Sequence, residues 1–318
     1  MVLLFVCGGT GFIGTSLVRH AVARGMQVHV LVRSERSARK VIANGAVPVW
    51  GDLARPDSWR DIAGYARWIV HLAQPETFLG RVTRARAEVY REERLALDSH
   101  LLEAARGVER MIYVAGTSYY GDLGGSSERG LHDEDARPTP RGSGPYFAPA
   151  VDRVTDEISG GLRAIVAFPG YVYGDGSWFR EYVTAPLEQG KPIHMVSGPP
   201  RYASVVHVDD CARALLHLLA RGEVGQRYFV VDDEPLPWLA FYGRAAEAFE
   251  RRLQVCRVPA ALMRVLIGDV LTESLLVNAA LSNGRLRATG FVPRYPSSRE
   301  GLLEVARATR VGRQEASS

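Results

Sequence analysis

The chain contains 318 residues, of which 47% are hydrophobic and 23% are charged. This balance is typical of a globular protein of one or two domains and excludes a disordered, collagen-like or small disulfide-stabilised chain. The formal net charge is only +4, so the composition does not indicate a nucleic-acid-binding protein.

Short apolar runs alternate with amphipathic segments through the first half of the chain. The predicted strands are Val2–Cys7, Gln27–Val32, Val47–Trp50, Trp68–Leu72, Arg110–Ala115 and Ala164–Phe168. The predicted helices between them are Phe12–Arg24, Ser34–Asn44, Asp57–Gly64, Arg84–Arg106 and Val151–Ser159. Because the strands are almost continuously apolar, both of their faces are expected to be covered by crossover helices. This alternation predicts a doubly wound α/β fold with a parallel sheet.

The regular alternation ends after Phe168. We predict that residues 1–174 form the main domain and that residues 202–232 return to it with a strand, a helix and a further strand. Residues 175–201 and 233–310 are predicted to form a smaller, mostly helical lobe that covers the substrate, and residues 311–318 a frayed tail. The two apolar helices of this lobe are expected to have no partner strands; they are about Trp238–Arg251 and Pro259–Ala280.

A glycine-rich turn follows the first strand and opens the first helix. Its sequence is Gly8-Gly9-Thr10-Gly11-Phe12-Ile13-Gly14. Gly8 permits the tight turn, Gly11 lets the main chain approach a pyrophosphate, and Gly14 lets helix and strand pack closely. The unpaired amides of the helix N-terminus attract the phosphates. The turn, including Thr10, Phe12 and Ile13, is therefore predicted to bind a dinucleotide.

The end of the second strand is expected to read the adenosine ribose of that dinucleotide. Arg33 stands there and Ser34 follows it, so a 2′-phosphate is accommodated and NADP is favoured over NAD. A solvated arginine beside an NAD site is the alternative. Asp52 and Leu53 follow the third strand, where the Asp52 carboxylate either accepts from the adenine amine or stabilises a turn before the next helix.

Other residues bear on partners and location. Basic residues are densest from Arg81 to Arg94, alternating with glutamates, which predicts a solvent-exposed helix with ion pairs. The cysteines, at positions 7, 211 and 256, are too scattered for a disulfide framework or a zinc site. No apolar run approaches the roughly 20 residues that cross a bilayer. We therefore expect a cytoplasmic protein with no metal site, no membrane contact and no nucleic-acid partner.

Several motifs after successive strands resemble those of the extended short-chain dehydrogenase/reductase family. They are Val70-His71-Leu72-Ala73, Tyr120-Gly121-Asp122, the run from Pro169 to Gly174, and His207-Val208-Asp209-Asp210. The resemblance covers about residues 1–305 and extends to epimerases, dehydratases and dihydroflavonol-reductase-like members. It implies a Rossmann sheet that binds NAD or NADP, with Leu72 and Ala73 beside the cofactor. It also implies a small C-terminal lobe over the substrate, whereas His207 is expected to be structural.

The same resemblance implies a catalytic Tyr-x-x-x-Lys pair with a nearby serine or threonine, and here the chain departs from the family. Tyr146 matches the tyrosine, but Ala150 stands where the lysine belongs. Gly116 stands where the hydroxyl residue belongs, and Thr117 and Ser118 follow it as replacements.

These departures affect the two directions of the reaction differently. A free phenol has a pKa of about 10. Without a neighbouring lysine, the free energy of forming the tyrosinate at pH 7 is roughly 4 kcal/mol higher than with one. Reduction of a carbonyl needs only a neutral phenol as proton donor, so the missing lysine slows oxidation more than reduction. Arg153 lies on the same helical face and is a candidate lysine surrogate, unless Pro149 starts the helix and leaves Tyr146 in a loop.

The predicted lobe is rich in aromatic residues and leucines, which favours an apolar substrate. The leucines are equally typical of a core or an interface, so a homodimer stays open. We predict an NADP-preferring reductase of a carbonyl or conjugated group in a small apolar or aromatic molecule. The alternatives are an epimerase or dehydratase acting on a nucleotide sugar, and a protein that binds or senses NADP without redox chemistry.

Overall fold

The computed structural model describes residues 2–75, 81–125 and 130–316, with side chains up to Val311. Its strands are β1 (Leu3–Cys7), β2 (Gln27–Val32), β3 (Val47–Trp50), β4 (Trp68–His71), β5 (Arg110–Val114), β6 (Ala164–Pro169), β7 (Tyr171–Tyr173), β8 (Ile193–Val196), β9 (Tyr202–Ala203), β10 (Val205–His207), β11 (Arg227–Val230), β12 (Leu236–Pro237) and β13 (Val255–Val258). Seven of them form one parallel sheet in the order β11-β6-β5-β4-β1-β2-β3. This topology confirms the predicted doubly wound fold.

Helices connect the strands and cover both faces of the sheet. They are α1 (Phe12–Ala23), α2 (Glu35–Ala43), α3 (Arg60–Gly64), α4 (Arg84–Ala105), α5 (Gly144–Ser159), α6 (Ser177–Phe179), α7 (Ala185–Glu188), α8 (Val208–Arg221), α9 (Trp238–Ala248), α10 (Ala260–Ile267), α11 (Asp269–Leu275), α12 (Gly284–Ala288) and α13 (Ser298–Ala316). Helices α1, α2 and α8 pack on one face and α3, α4 and α5 on the other. Because all strands of the sheet are parallel, the loops after β1, β2, β4 and β5 meet at one edge. No helix in the described ranges is long and apolar enough to cross a bilayer.

Helix α5 begins earlier than its sequence suggests. The prediction of Val151–Ser159 is wrong at its start, because the helix runs from Gly144 with Pro145 in its first turn and Pro149 inside it. A proline this close to the N-terminus removes only one intrahelical hydrogen bond. Burial of Phe147 and Ala148 in the core offsets that loss. Tyr146 therefore lies on the helix and not in the preceding loop.

The C-terminal region contains short strand pairs that the sequence does not reveal. β13 pairs with β8, and β12 pairs with β9, so the expectation of helices without partner strands is wrong. The predicted helix Pro259–Ala280 is two helices, α10 and α11, which are separated by Gly268 at φ +90°. An aromatic cluster that includes Phe179, Trp238 and Phe241 forms the core of this region.

Candidate functional site

The glycine turn after β1 packs tightly against the sheet at Gly8 and Gly14 and is open at Gly11, where α1 begins. Gly8 has φ +84°, and a Cβ there would lie 2.6 Å from the main-chain nitrogen of Ala73. A Cβ on Gly14 would lie 2.1 Å from the carbonyl oxygen of Gly8. By contrast, a Cβ on Gly11 would meet only that same oxygen, at 3.4 Å, and would otherwise point into open space. The structure thus brings the turn against Leu72 and Ala73, and their predicted contact with a cofactor stays a prediction.

Helix α1 presents its N-terminus to this open side. Gly11 is its N-cap residue, no side chain caps the helix, and no acidic residue lies in its first turn. The first amides are therefore left to bind an anion, and the helix dipole favours negative charge there. Thr10, Phe12 and Ile13 are partly exposed around the turn. This backbone-lined cradle, which a Cβ on Gly11 would fill, fits a dinucleotide diphosphate.

Gly9 is a third sterically constrained position in the turn, after Gly8 and Gly14, and sequence analysis did not identify it. A Cβ on Gly9 would lie 2.6 Å from Cγ1 of Val30 on β2, a long-range contact that spacing along the chain cannot reveal.

A cleft of about 400 Å³ lies beyond the ends of β2 and β3. Arg33 and Asp52 line it, as do Trp50 and Arg55, which the sequence had not singled out. The Asp52 carboxylate accepts from the amide of Ala54 at 3.0 Å, so it performs the turn role that the sequence offered as an alternative. Its contact with adenine stays a prediction.

The side chains of two neighbouring candidates, Leu53 and Ser34, have structural roles. The Leu53 side chain is buried in the core and is not presented to the cleft. The Ser34 hydroxyl accepts from the amide of Ser37 at 3.2 Å and so caps α2. Any contact of Leu53 with a nucleotide would therefore come from its main chain.

Two serine hydroxyls meet at the carboxyl end of β5. Ser118 lies in a 3₁₀ turn, Thr117–Tyr119, and its Oγ is 2.9 Å from Oγ of Ser143. A Cβ on Gly116 would lie 3.9 Å from the Ser118 Oγ, so that hydroxyl adjoins the space where a serine at position 116 would project. Thr117 is half-buried in the same turn. Ser143 was missed because it precedes the predicted helix start.

Tyr146 lies three residues after Ser143, on the same side of α5. Its half-buried ring packs against the cluster of Val82, Ala87 of α4 and Val270 of α11. Within the described residues its hydroxyl has no hydrogen-bond partner. Ala150, one turn further along, is only 2% exposed and packs in the hydrophobic core. The position of the motif lysine is therefore occupied here by a buried apolar residue.

Arg153 is directed away from this site, contrary to the hypothesis of a lysine surrogate. Its Nη1 donates to Oγ of Ser99 on α4 at 2.5 Å. Its side chain also lines a cavity with Arg106, Asp156 and Leu162. Leu162 lies two residues before β6, so this cavity is at the amino end of that strand. The ligand edge of the sheet is at the opposite, carboxyl end. Sharing a helical face with Tyr146 did not determine where the long arginine side chain ends.

Ion pairs join the loop before Tyr146 to the C-terminal lobe. Arg141 donates to Asp122 at 2.7 Å and to Glu273 of α11 at 3.2 Å. Arg264 of α10 binds the other oxygen of Glu273 at 2.7 Å. The amide of Ser143 donates to Oγ of Ser274 at 3.0 Å. These contacts hold α11 over the Tyr146 side of the sheet.

A buried charged cluster lies beneath the glycine turn. Asp98 of α4 is 1% exposed and accepts from Arg94 Nε at 2.9 Å, from the hydroxyl of Tyr113 at 2.5 Å, and from His71 Nε2 at 2.8 Å. The prediction of an exposed basic helix holds for Arg91, which pairs with Glu88, but is wrong for Arg94, which is 3% exposed.

Burial opposes the negative charge of Asp98, but the Arg94 guanidinium and the bonds from His71 and Tyr113 outweigh it. They hold the pKa of the Asp98 carboxyl well below its usual range. Burial lowers the pKa of His71 against the opposing attraction of Asp98, so His71 is neutral at pH 7 and donates through Nε2. His71 ends β4, and Leu72 and Ala73, which follow it, contact Gly8. The cluster therefore supports the strand end that faces the turn.

Asp98→Asn is expected to lower the free energy of unfolding by about 3–5 kcal/mol, because it leaves the Arg94 charge buried without its counter-ion. The stabilisation from a carboxyl with a lowered folded-state pKa is complete above its unfolded value, about 4, and is lost as the pH falls below it. The variant should therefore lose less stability than the wild type on acidification. Urea unfolding at pH 7 and at lower pH measures this, with Glu92→Gln, an exposed change on the same helix, as control. Equal unfolding energies for both variants would contradict it.

Comparison with known proteins identifies the family. Residues 4–231 match the NAD dependent epimerase/dehydratase family. The chain belongs to this family. The assignment confirms the resemblance to extended short-chain dehydrogenases/reductases. This family member nevertheless carries Ala150 and Gly116 in place of the usual lysine and hydroxyl residue.

Two curated relatives of this family member are named as reductases. One, from Stigmatella aurantiaca, is a 4-hydroxy-2-methyl-3-oxo-4-farnesyl-3,4-dihydroquinoline-1-oxide ketoreductase, 28% identical over 86% of this chain and 82% of its own. The other, from a Streptomyces species, is a 3-diazoavenalumate denitrifying reductase, 30% identical over 94% of this chain and 98% of its own.

Solved structures show the same fold. The dTDP-glucose 4,6-dehydratase of Bacillus anthracis, in complex with NAD, superposes with a TM-score of 0.80 at 16% identity, covering 99% of this chain and 98% of that one. The human epimerase family protein SDR39U1, with NADPH, has a TM-score of 0.75 at 23% identity, covering 96% and 99%. At these identities the likeness extends to the fold alone.

Proposed function

We propose that this family member is an NADPH-dependent reductase of a carbonyl or conjugated group in an apolar or aromatic small molecule. The observation that carries the proposal is the Ser118–Ser143 hydroxyl pair, in which Ser118 adjoins Gly116 and Ser143 lies three residues before Tyr146. This arrangement supplies a hydroxyl and a phenol at the ligand edge without the usual serine and lysine. The two relatives that are named as reductases support the direction of the chemistry.

Each group then has a distinct task. A bound nicotinamide supplies hydride. The main chain at Gly11 and the first amides of α1 hold the diphosphate. Ser118, oriented by Ser143, donates a hydrogen bond to the substrate oxygen, and the phenol of Tyr146 donates the proton.

The buried methyl group of Ala150 favours reduction over the alternatives. An epimerase or dehydratase of this family begins by oxidising its substrate, which requires removal of a proton by a tyrosinate. Ala150 supplies no cation one turn away to stabilise that tyrosinate. Donation starts from the protonated phenol, which regains its proton from solvent afterwards.

The test is incubation of the purified protein with NADPH and a panel of aromatic ketones. We expect equal amounts of NADPH consumed and alcohol formed. Conversion of a nucleotide sugar without net NADPH consumption would instead identify an epimerase or dehydratase. Saturable NADPH binding with no conversion of any substrate in the panel would favour a binding protein.

Ser118→Ala is expected to lower kcat about tenfold to a hundredfold, because the substrate oxygen loses a hydrogen bond as negative charge develops on it. Steady-state kinetics with the best ketone measures this effect. The control is Ser159→Ala, which removes an exposed hydroxyl at the far end of α5 whose one hydrogen bond among the described residues is to the carbonyl of Thr155. An unchanged kcat in Ser118→Ala would remove Ser118 from the site.

The proposed preference for NADPH depends on Arg33. Arg33→Gln should weaken NADPH binding about tenfold to a hundredfold, because a charge-assisted bond to the 2′-phosphate is lost. NADH binding should stay unchanged. Fluorescence titration with both nucleotides measures this, with Arg39→Gln on α2 as a charge-matched control. Equal weakening of both nucleotides would show that Arg33 does not read the 2′ position.

A further inference from the structure

The loop before α5 contacts both the 3₁₀ turn after β5 and the end of α11. The amide of Arg141 in this loop donates to the carbonyl of Ser118 at 3.1 Å, and a Cβ on Gly144 would lie 2.0 Å from that same oxygen. The amide of Ser143 donates to Oγ of Ser274 on α11 at 3.0 Å. The loop therefore has little room to shift without displacing either the turn or the helix.

Glu273 of α11 accepts hydrogen bonds from two guanidinium groups, and one of them belongs to this loop. Its Oε2 accepts from Nε and Nη2 of Arg141 at 3.2 Å, and its Oε1 accepts from Arg264 of α10 at 2.7 Å. Because both guanidinium groups bind one carboxylate, its negative charge offsets the repulsion between them. Arg141 also donates to Asp122, which lies beyond the turn that contains Ser118, at 2.7 Å. Removing the Glu273 charge therefore leaves two cations close together where α11 meets the loop.

The same end of α11 contacts two groups of the proposed site. Ser274 bonds the amide of Ser143, whose hydroxyl is 2.9 Å from that of Ser118. One turn earlier on α11, Val270 belongs to the apolar cluster against which the Tyr146 ring packs. A displacement of this helix end therefore displaces both the hydroxyl pair and the phenol relative to the sheet.

We infer that Glu273 is a positioning residue that fixes the Ser143 hydroxyl, and through it Ser118, for hydrogen bonding to the substrate. This inference rests on the proposed reductase function. The Glu273 carboxylate holds the loop through Arg141, and the neighbouring Ser274 holds the amide of Ser143. Without the carboxylate charge the two arginines repel each other and the end of α11 moves away from the loop. A small displacement of a group that binds the reacting atoms is enough to slow the chemical step.

A double-mutant cycle with Ser118→Ala tests this role. Glu273→Gln keeps the shape of the side chain and removes its charge. It should lower kcat for the best ketone about tenfold to a hundredfold and leave the NADPH dissociation constant unchanged. In the Ser118→Ala background the same change should have little further effect on kcat, because the hydroxyl that Glu273 positions is absent. The matched control is Glu234→Gln, whose carboxylate binds Arg244 of the same lobe at 2.8 Å, and it should leave kcat unchanged.

Two kinetic results would overturn the inference. One is an unchanged kcat in Glu273→Gln. The other is an equal fold-loss of kcat in the wild-type and Ser118→Ala backgrounds, since the effect of Glu273 would then not pass through Ser118. Thermal denaturation of each variant shows that the comparison is made between folded proteins.

Hydrogen–deuterium exchange separates this inference from the proposed function, because it needs no substrate. Mass spectrometry of the peptide that contains residues 141–146 should show faster exchange in Glu273→Gln than in the wild type or in Glu234→Gln, because the Ser143 amide loses its bond to Ser274. If exchange is faster but no ketone is reduced, the reductase proposal fails and the positioning of the loop by Glu273 stands. If ketones are reduced but neither exchange nor kcat changes in Glu273→Gln, the positioning role fails alone.

Discussion

Gly11→Ala is expected to weaken NADPH binding at least about a hundredfold while leaving the free energy of unfolding of the ligand-free protein nearly unchanged. A Cβ on Gly11 has open space around it, with only the Gly8 carbonyl oxygen at 3.4 Å, so the fold tolerates it. The same Cβ projects into the cradle above α1, where it blocks close approach of a diphosphate to the main chain. Fluorescence titration and thermal denaturation with NADPH measure the two quantities.

Two further glycine variants bracket this result. Gly107→Ala is a control, because a Cβ there meets no atom within 4 Å and lies far along the chain from the turn. Gly14→Ala should lower stability as well as affinity, because its Cβ would lie 2.1 Å from the carbonyl oxygen of Gly8. Wild-type NADPH affinity in Gly11→Ala would show that the dinucleotide does not lie against this turn.

Tyr146→Phe is expected to lower kcat for carbonyl reduction about 10²–10⁴-fold with little change in NADPH affinity, because the proton donor is lost and the cofactor cradle is untouched. The ring contacts with Ala87 and Val270 persist in phenylalanine, so the fold should be retained. Single-turnover kinetics with preformed NADPH complex isolate the chemical step.

The control for the hydroxyl is Tyr65→Phe, since Tyr65 is 85% exposed at the end of α3, near the amino end of β4, and its loss should leave kcat unchanged. Complete retention of turnover in Tyr146→Phe would exclude Tyr146 as the acid and direct attention to Thr117 and Ser118.

Local patterns predicted the features that depend on local physics. Continuous apolar runs identified the strands of the central sheet, since a buried strand needs apolar residues on both faces. The glycine spacing identified the turn, because Gly8 needs positive φ and Gly14 needs close packing. Both requirements act within a few residues, so they are visible in the sequence alone.

The features that sequence analysis missed depend on contacts between distant segments. Arg94 resembles its exposed neighbours along the chain, yet it is buried because Asp98, His71 and Tyr113 meet it in the fold. The early start of α5 at Gly144 depends on core packing that outweighs the effect of Pro149. Ser143 acquired significance only when the structure placed its hydroxyl beside that of Ser118.

The transfer of deuteride from NADPH that is deuterated at C4 tests the central claim most directly. The protein is incubated with each C4 epimer of the labelled cofactor and the best ketone of the panel, and the product is analysed by mass spectrometry. We expect one epimer to give an alcohol that carries a single deuterium at the former carbonyl carbon, and Gly11→Ala to give almost none. An unlabelled alcohol from both epimers, or labelled NADPH that binds and is never consumed with any ketone, would contradict a reductase.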